Sequence, residues 1–93
     1  MITSVRVTKR AYKQLSALPL VIQDKFAVWV VFVGRYGLEE VRKRPGLHDE
    51  PLKGTRAGQR SIRLNKAYRA IYEIRFDGTI EFVSVEEVTK HEY

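Results

Sequence analysis

The chain of 93 residues contains no cysteine, so it can form neither a disulfide nor a thiolate zinc site. That suits a reducing compartment. Long apolar runs are missing too. The longest, Phe26 to Val33, is far below the roughly 20 residues needed to span a bilayer. Met1 to Val7 is too short and too polar for a secretory leader. A soluble cytoplasmic protein with no membrane partner is expected. Internal repeats, low-complexity tracts and a second domain are also absent. Residues 1–93 read as a single small domain with a thin core.

Negative charge is scarce and unevenly placed. The formal net charge is +6, and residues 42–69 hold nine Lys/Arg against only Asp49 and Glu50. Residues 70–93 sum to −4. The central cations flank a histidine and a carboxylate instead of forming a tail. This favours a phosphate-binding patch over a merely solvated basic surface.

Hydrophobic periodicity predicts the elements. Ile2 to Val7 alternates weakly and reads as a first strand. Thr8 can cap a helix over Lys9 to Leu18, with Ala11, Tyr12, Leu15 and Leu18 at helical spacing. Pro19 breaks it and suits the first turn of a second helix running to Tyr36. Phe-Ala-Val-Trp-Val-Val-Phe-Val could be a buried strand by composition. The length from Pro19 to Gly37 decides for helix. Ile22, Phe26, Trp29, Val33 and Tyr36 would then form the core stripe. Val28 and Val31 fall on the far side, either incidental or a partner-binding patch. Leu38 to Arg44 can add a helical turn. Pro45 to Gly58, dense in Pro and Gly, reads as a loop. Three strands follow, at Gln59–Leu64, Tyr68–Arg75 and Ile80–Val88, joined by turns at 65–67 and 77–79. The expected fold is α+β, in the order β-α-α-β-β-β. Two helices pack on one face of a small, mainly antiparallel sheet, and the other face is left for a cleft.

Several residues could carry chemistry. Glu50 is either an exposed loop carboxylate or a general base. His91, near the chain end, is either a terminal histidine or a proton donor near neutral pH. Arg69 sits in an otherwise apolar strand, Tyr68-Arg69-Ala70-Ile71-Tyr72. A charge there is costly unless it pairs with Glu73 or Glu86, or faces a cleft where its planar fork can hold phosphate. His48 either acts directly, or caps the loop or packs against Leu52. Lys53, Arg56, Arg60, Arg63 and Lys90 are candidate contacts to a nucleic-acid backbone, and Tyr93 could stack on a base. Ile62 and Leu64 share one strand face, and Ser61 and Arg63 the other. The two histidines lack ligand-like spacing, so neither a metal nor another cofactor is expected.

The runs Glu50-Pro51-Leu52-Lys53-Gly54, Gly58-Gln59-Arg60-Ser61-Ile62-Arg63-Leu64, Tyr68-Arg69-Ala70-Ile71-Tyr72 and Lys90-His91-Glu92-Tyr93 resemble the RelE/ParE superfamily of toxins. The likeness is strongest to the YoeB, HigB and RelE messenger-RNA nucleases. The helices add only a pattern common to small α/β domains. The resemblance implies a type II toxin that enters the ribosomal A site and cleaves messenger RNA there without a metal. Its base would be Glu50, or His48 as in relatives that use a loop histidine. Arg69 would be its phosphate clamp and His91 its acid. Relatives end in a histidine–tyrosine pair, which Glu92 interrupts here. It further implies a cognate antitoxin, with a homodimer or a toxin–antitoxin heterotetramer as the assembly. The competing expectation is a ParE-like inhibitor of DNA gyrase, a branch that does not rely on this carboxylate and histidine. A third is a relative that binds nucleic acid without cutting it, with affinity falling steeply as salt rises.

Overall fold

A computed structural model describes residues 1–90. Its elements are β1 (Val5–Val7), α1 (Lys9–Ser16), α2 (Leu20–Tyr36), α3 (Leu38–Val41), β2 (Glu50–Pro51), β3 (Arg60–Arg63), β4 (Tyr68–Phe76) and β5 (Glu81–Lys90), with 3-10 turns at Pro45–Leu47 and Gly54–Arg56. They form one five-stranded sheet in the order β1-β5-β4-β3-β2. The architecture is α+β and mainly antiparallel, as expected from the sequence. Only β1 runs parallel to its neighbour β5.

Thr8 is the N-cap of α1, and its hydroxyl accepts the Ala11 N–H at 3.1 Å. The same residue ties the helix to the sheet through its own N–H, which donates to the Val85 carbonyl at 3.0 Å. Thr8→Ala is expected to cost ~1 kcal/mol. In a domain of this size that is a fall of roughly 4–8 °C in melting temperature, which calorimetry would register. An unchanged melting temperature would mean that the cap contributes nothing.

The long β-branched run does form a helix. Ile22, Phe26, Trp29 and Val33 of α2 are buried. Trp29 packs between Phe26 and Tyr72, with ring centroids 5.7 and 5.6 Å away, which joins the helix to β4. Tyr36 departs from the expected stripe and is 41% exposed. Gly37, at φ +85°, ends the helix one residue later, and Leu38 turns into the core in its place. Tyr36 instead packs edge-on against Phe32, and the Arg44 guanidinium lies 4.5 and 5.5 Å from their two ring centres. Tyr12 is likewise exposed. The first strand is shorter than its pattern, and Ile2 ahead of it is buried in the core.

The predicted loop after α3 contains a strand. Glu50 and Pro51 pair antiparallel with Ser61 and Arg60, and Leu52 N–H continues the ladder to the Gln59 carbonyl at 2.8 Å. Proline is tolerated there because β2 is an edge strand. Alternation then fixes which side chains share a face. Arg60, Ile62, Ala70, Tyr72, Val85 and Val88 stand on the helix side. Glu50, Ser61, Arg63, Arg69, Ile71 and Thr89 stand on the other. A bulge in β5, opposite the Ile71–Tyr72 step, shifts the register near that second face.

Candidate active site on the open sheet face

Two rows of side chains cross the open face. One runs Glu50–Ser61–Ile71–Glu87 and the other Arg63–Arg69–Thr89, each residue paired in register with the next. Between them lies a pocket of about 290 Å³. Ser61 and Ile71 line it together with Glu50, Leu52, Arg56, Arg69, Thr89 and Lys90. A carboxylate and three cations from four separate stretches of chain therefore share one cavity.

The arginine pair is the informative part. Arg63 and Arg69 stand directly opposite each other on adjacent strands. Like charges in that position repel and destabilise a sheet. Neither forms an ion pair with a carboxylate among the described residues. Among the described residues Arg69 donates to the Ser61 hydroxyl, at 3.3 Å. Arg63 lies 3.4 Å from the His48 Nε2. The carboxylates of Glu73 and Glu86, possible partners for Arg69, meet Arg75 instead, at 3.1 and 3.3 Å. Two guanidiniums on paired positions, neither bound to a carboxylate among the described residues, make this face receptive to an anion with several oxygens.

Arg56, in the second 3-10 turn, reaches across to Glu87 of β5 at 2.5 Å, and Arg10 of α1 approaches the same carboxylate at 3.4 Å. This double pairing braces the turn against the sheet. Lys53 is exposed beside the pocket residue Leu52 but does not line the cavity. His48 sits at φ +46°, in the left-handed region, with its Nε2 near Arg63. It does not line the pocket either. His91 and Tyr93 lie outside the described residues.

Arg60 is placed differently from the other candidate cations. It shares the helix-side face with Ile62, and its Nε donates to Asp49 Oδ1 at 2.6 Å. Tyr72 donates its hydroxyl to the other oxygen, Oδ2, at 2.5 Å. The Asp49 side chain is 1% exposed. Burial opposes the charge on Arg60, but the hydrogen bond and charge of Asp49 outweigh it and raise the pKa further. Burial, then the hydrogen bond to Asp49, push the Tyr72 phenol well above its ordinary value. Asp49 and Glu50 are thus consecutive residues of opposite fate, one locked inward and one displayed outward. Sequence reasoning missed Asp49, Tyr72 and Ser61. A signal was present for Arg60, which alternates in phase with Ile62 and Leu64.

Among the described residues, no three His, Cys, Asp or Glu side chains come together as a metal-ligand group. No helix there is long and apolar enough to cross a membrane.

No protein-family model and no curated protein matches the chain. Solved structures do match along nearly its whole length. A YoeB/ParE toxin from Agrobacterium tumefaciens superposes with a TM-score of 0.72 at 18% identity, covering 96% of this chain and 99% of that one. The RelBE2 toxin–antitoxin complex of Mycobacterium tuberculosis gives 0.68 at 25% identity, covering 98% and 100%. The RelE–RelB complex of the archaeon Pyrococcus horikoshii OT3 gives 0.69 at 22% identity, covering 97% and 96%. The chain has the RelE/ParE-type toxin fold.

Proposed function

We propose that the protein is the toxin of a type II toxin–antitoxin pair and acts as a ribosome-dependent messenger-RNA endoribonuclease. The observation that carries this reading is Arg69, paired in register with Arg63 and without a carboxylate partner among the described residues, in one pocket with Glu50. A messenger-RNA phosphate fits that arrangement in charge and geometry. In the proposed reaction Glu50 takes the proton of the ribose 2′-hydroxyl. The freed oxygen attacks the adjacent phosphorus, and the bond from phosphorus to the 5′-oxygen breaks. His91, next in sequence after the pocket residue Lys90, gives its proton to the departing oxygen. The products are a 2′,3′-cyclic phosphate and a 5′-hydroxyl. Arg69, seconded by Arg63, holds the non-bridging oxygens as their charge grows. Arg56, Lys53 and Lys90 bind the flanking backbone, and Tyr93 stacks on a base. His48 is the alternative base. Glu50 lines the pocket and His48 does not, which favours Glu50. Arg60, bound to Asp49, has no contact with RNA in this scheme.

Support for the partner comes from the similar structures, since RelBE2 and RelE–RelB were both solved as complexes with their antitoxins. We assign this chain an antitoxin partner on the same pattern, within a toxin–antitoxin assembly. The cytoplasm, where translation occurs, is the corresponding location.

Primer extension on a translated message after induction tests the reading. The expected result is cuts at ribosome-occupied codons and none in the same message left untranslated. Intact messages together with inhibited supercoiling in a DNA gyrase assay would replace it with the gyrase-inhibitor reading. Binding of RNA with no cleavage and no growth arrest would reduce it to nucleic-acid binding.

A further inference from the structure

A second cavity lies away from the open face. A groove of about 430 Å³ runs between α2 and the turn at 45–47, lined chiefly by Lys25, Val28, Trp29, Phe32, Arg44 and Leu47. It shares no residue with the pocket that holds Glu50 and Arg69. Its size falls within the ~300–1,000 Å³ usual for ligand clefts. Its walls are apolar, and the apolar surface continues along the exposed side of α2, where Val28 and Val31 are 50% and 59% exposed. Neither lining cation has a carboxylate partner among the described residues. Lys25 is exposed. Arg44 is held over the Phe32 and Tyr36 rings, which fixes its charge at the rim.

We infer that this groove is the docking site for a partner-protein segment that inserts a bulky apolar side chain between α2 and the turn and places carboxylates against Lys25 and Arg44. Charge complementarity selects this occupant. A second copy of the chain would bring another surface of net charge +6 to a groove whose two cations call for carboxylates. A nucleic acid would gain little from a groove that is apolar apart from its two cations. The identification of this partner with the neutralising antitoxin rests on the toxin reading above. Docking here would leave the open face uncovered, so the groove is an anchor distinct from any contact that blocks the pocket.

The test uses the full chain and the purified protein encoded by the adjoining reading frame. Calorimetric titration of Lys25→Glu/Val28→Asp should show affinity reduced at least about a hundredfold. Lys13→Glu, an equal charge change on exposed α1, should alter it less than about threefold. Message cleavage by the free double variant should match that of the parent. If the double variant melts earlier, Lys25→Glu alone carries the test, because it removes no buried atom. Unchanged affinity in that variant would overturn the docking site and leave the nuclease intact. A parent chain that binds normally but does not cleave would end the nuclease reading, and the groove would still be judged on the affinities. No binding to the parent chain overturns the docking inference. So does a parent chain that is dimeric alone and becomes monomeric on Lys25→Glu/Val28→Asp, which would make this face a self-interface.

Discussion

Arg69→Ala is expected to cleave ribosome-bound message at least about a hundredfold more slowly than the parent chain, the scale typical of removing a group that stabilises transition-state charge. The same substitution is expected to leave the fold as stable as before, or slightly more so. The sign follows from the structure. Arg69 stands opposite Arg63, contributes one 3.3 Å hydrogen bond to Ser61, and makes no ion pair with a carboxylate among the described residues. Its removal relieves a like-charge repulsion and sacrifices little packing. A residue that costs stability in the free protein and supports catalysis is the signature of a functional site. Arg69→Lys separates charge from shape. It keeps the positive charge but loses the planar fork, and should recover only part of the rate. Glu50→Gln should fall by about a hundredfold or more, as for other general bases, also without unfolding, because Glu50 lies exposed on an edge strand. Single-turnover cleavage on programmed ribosomes, paired with urea unfolding of each variant, measures both quantities. Arg69→Ala that cleaves within threefold of the parent, or that fails to fold, would remove Arg69 from the mechanism.

Much of this arrangement could be read from the sequence, and the parts that could not share a physical cause. The Thr8 cap, the helix through the β-branched run and the two hairpin turns rest on local chemistry. At both turns an Asx side chain bonds the backbone ahead of it: Asn65 accepts from Ala67 and Tyr68, and Asp77 from Thr79 and Ile80. The Ile80 bond, then the Arg6 side chain, hold the Asp77 carboxyl down at about 2. Local signals of this kind survive without knowledge of the rest of the fold. β2 has none. It is two residues long, contains a proline, and exists only because β3 offers it an edge. Without β2 there is no alternation at positions 49 and 50, so nothing in the sequence alone separates inward Asp49 from outward Glu50. Tyr36 lies outside the core for a related reason. Helical spacing puts it on the core stripe, but the turn at Gly37 brings Leu38 into the core one residue later. The anion-receptor character of the open face was only half legible. Charge density in 42–69 suggested it, whereas the direct opposition of Arg63 and Arg69 depends on register.

Asp49→Ala is expected to be the most destabilising single change near the site, by about 2–4 kcal/mol. Breaking a buried charge pair by removing one partner costs about 3–5 kcal/mol when the remaining charge is fully buried. Arg60 keeps some exposure, 24% of its side chain, which lowers the figure. Tyr72, packed against Trp29, would also lose the acceptor of its buried hydroxyl. The damage should reach function. Asp49 ties β2 to β3 and β4 through Arg60 and Tyr72, and Glu50 follows it directly in the chain. With the anchor gone, the outward carboxylate is held only by edge-strand hydrogen bonds. Cleavage should therefore fall even at temperatures where the variant remains folded. Tyr72→Phe is the gentler probe, and it carries a pH signature. The Tyr72 phenol has its pKa raised in the native state, by burial first and by Asp49 second. The folded form therefore keeps its proton where the unfolded chain has lost it. The stability this contributes is complete below the ordinary phenol value of about 10 and declines as pH rises above it toward the raised value. Urea midpoints measured from pH 8 to 11 should drop steeply for the parent and more gently for Tyr72→Phe. Parallel curves would show that Tyr72 does not hold its proton through the Asp49 contact, and the anchoring of Glu50 would then need another origin.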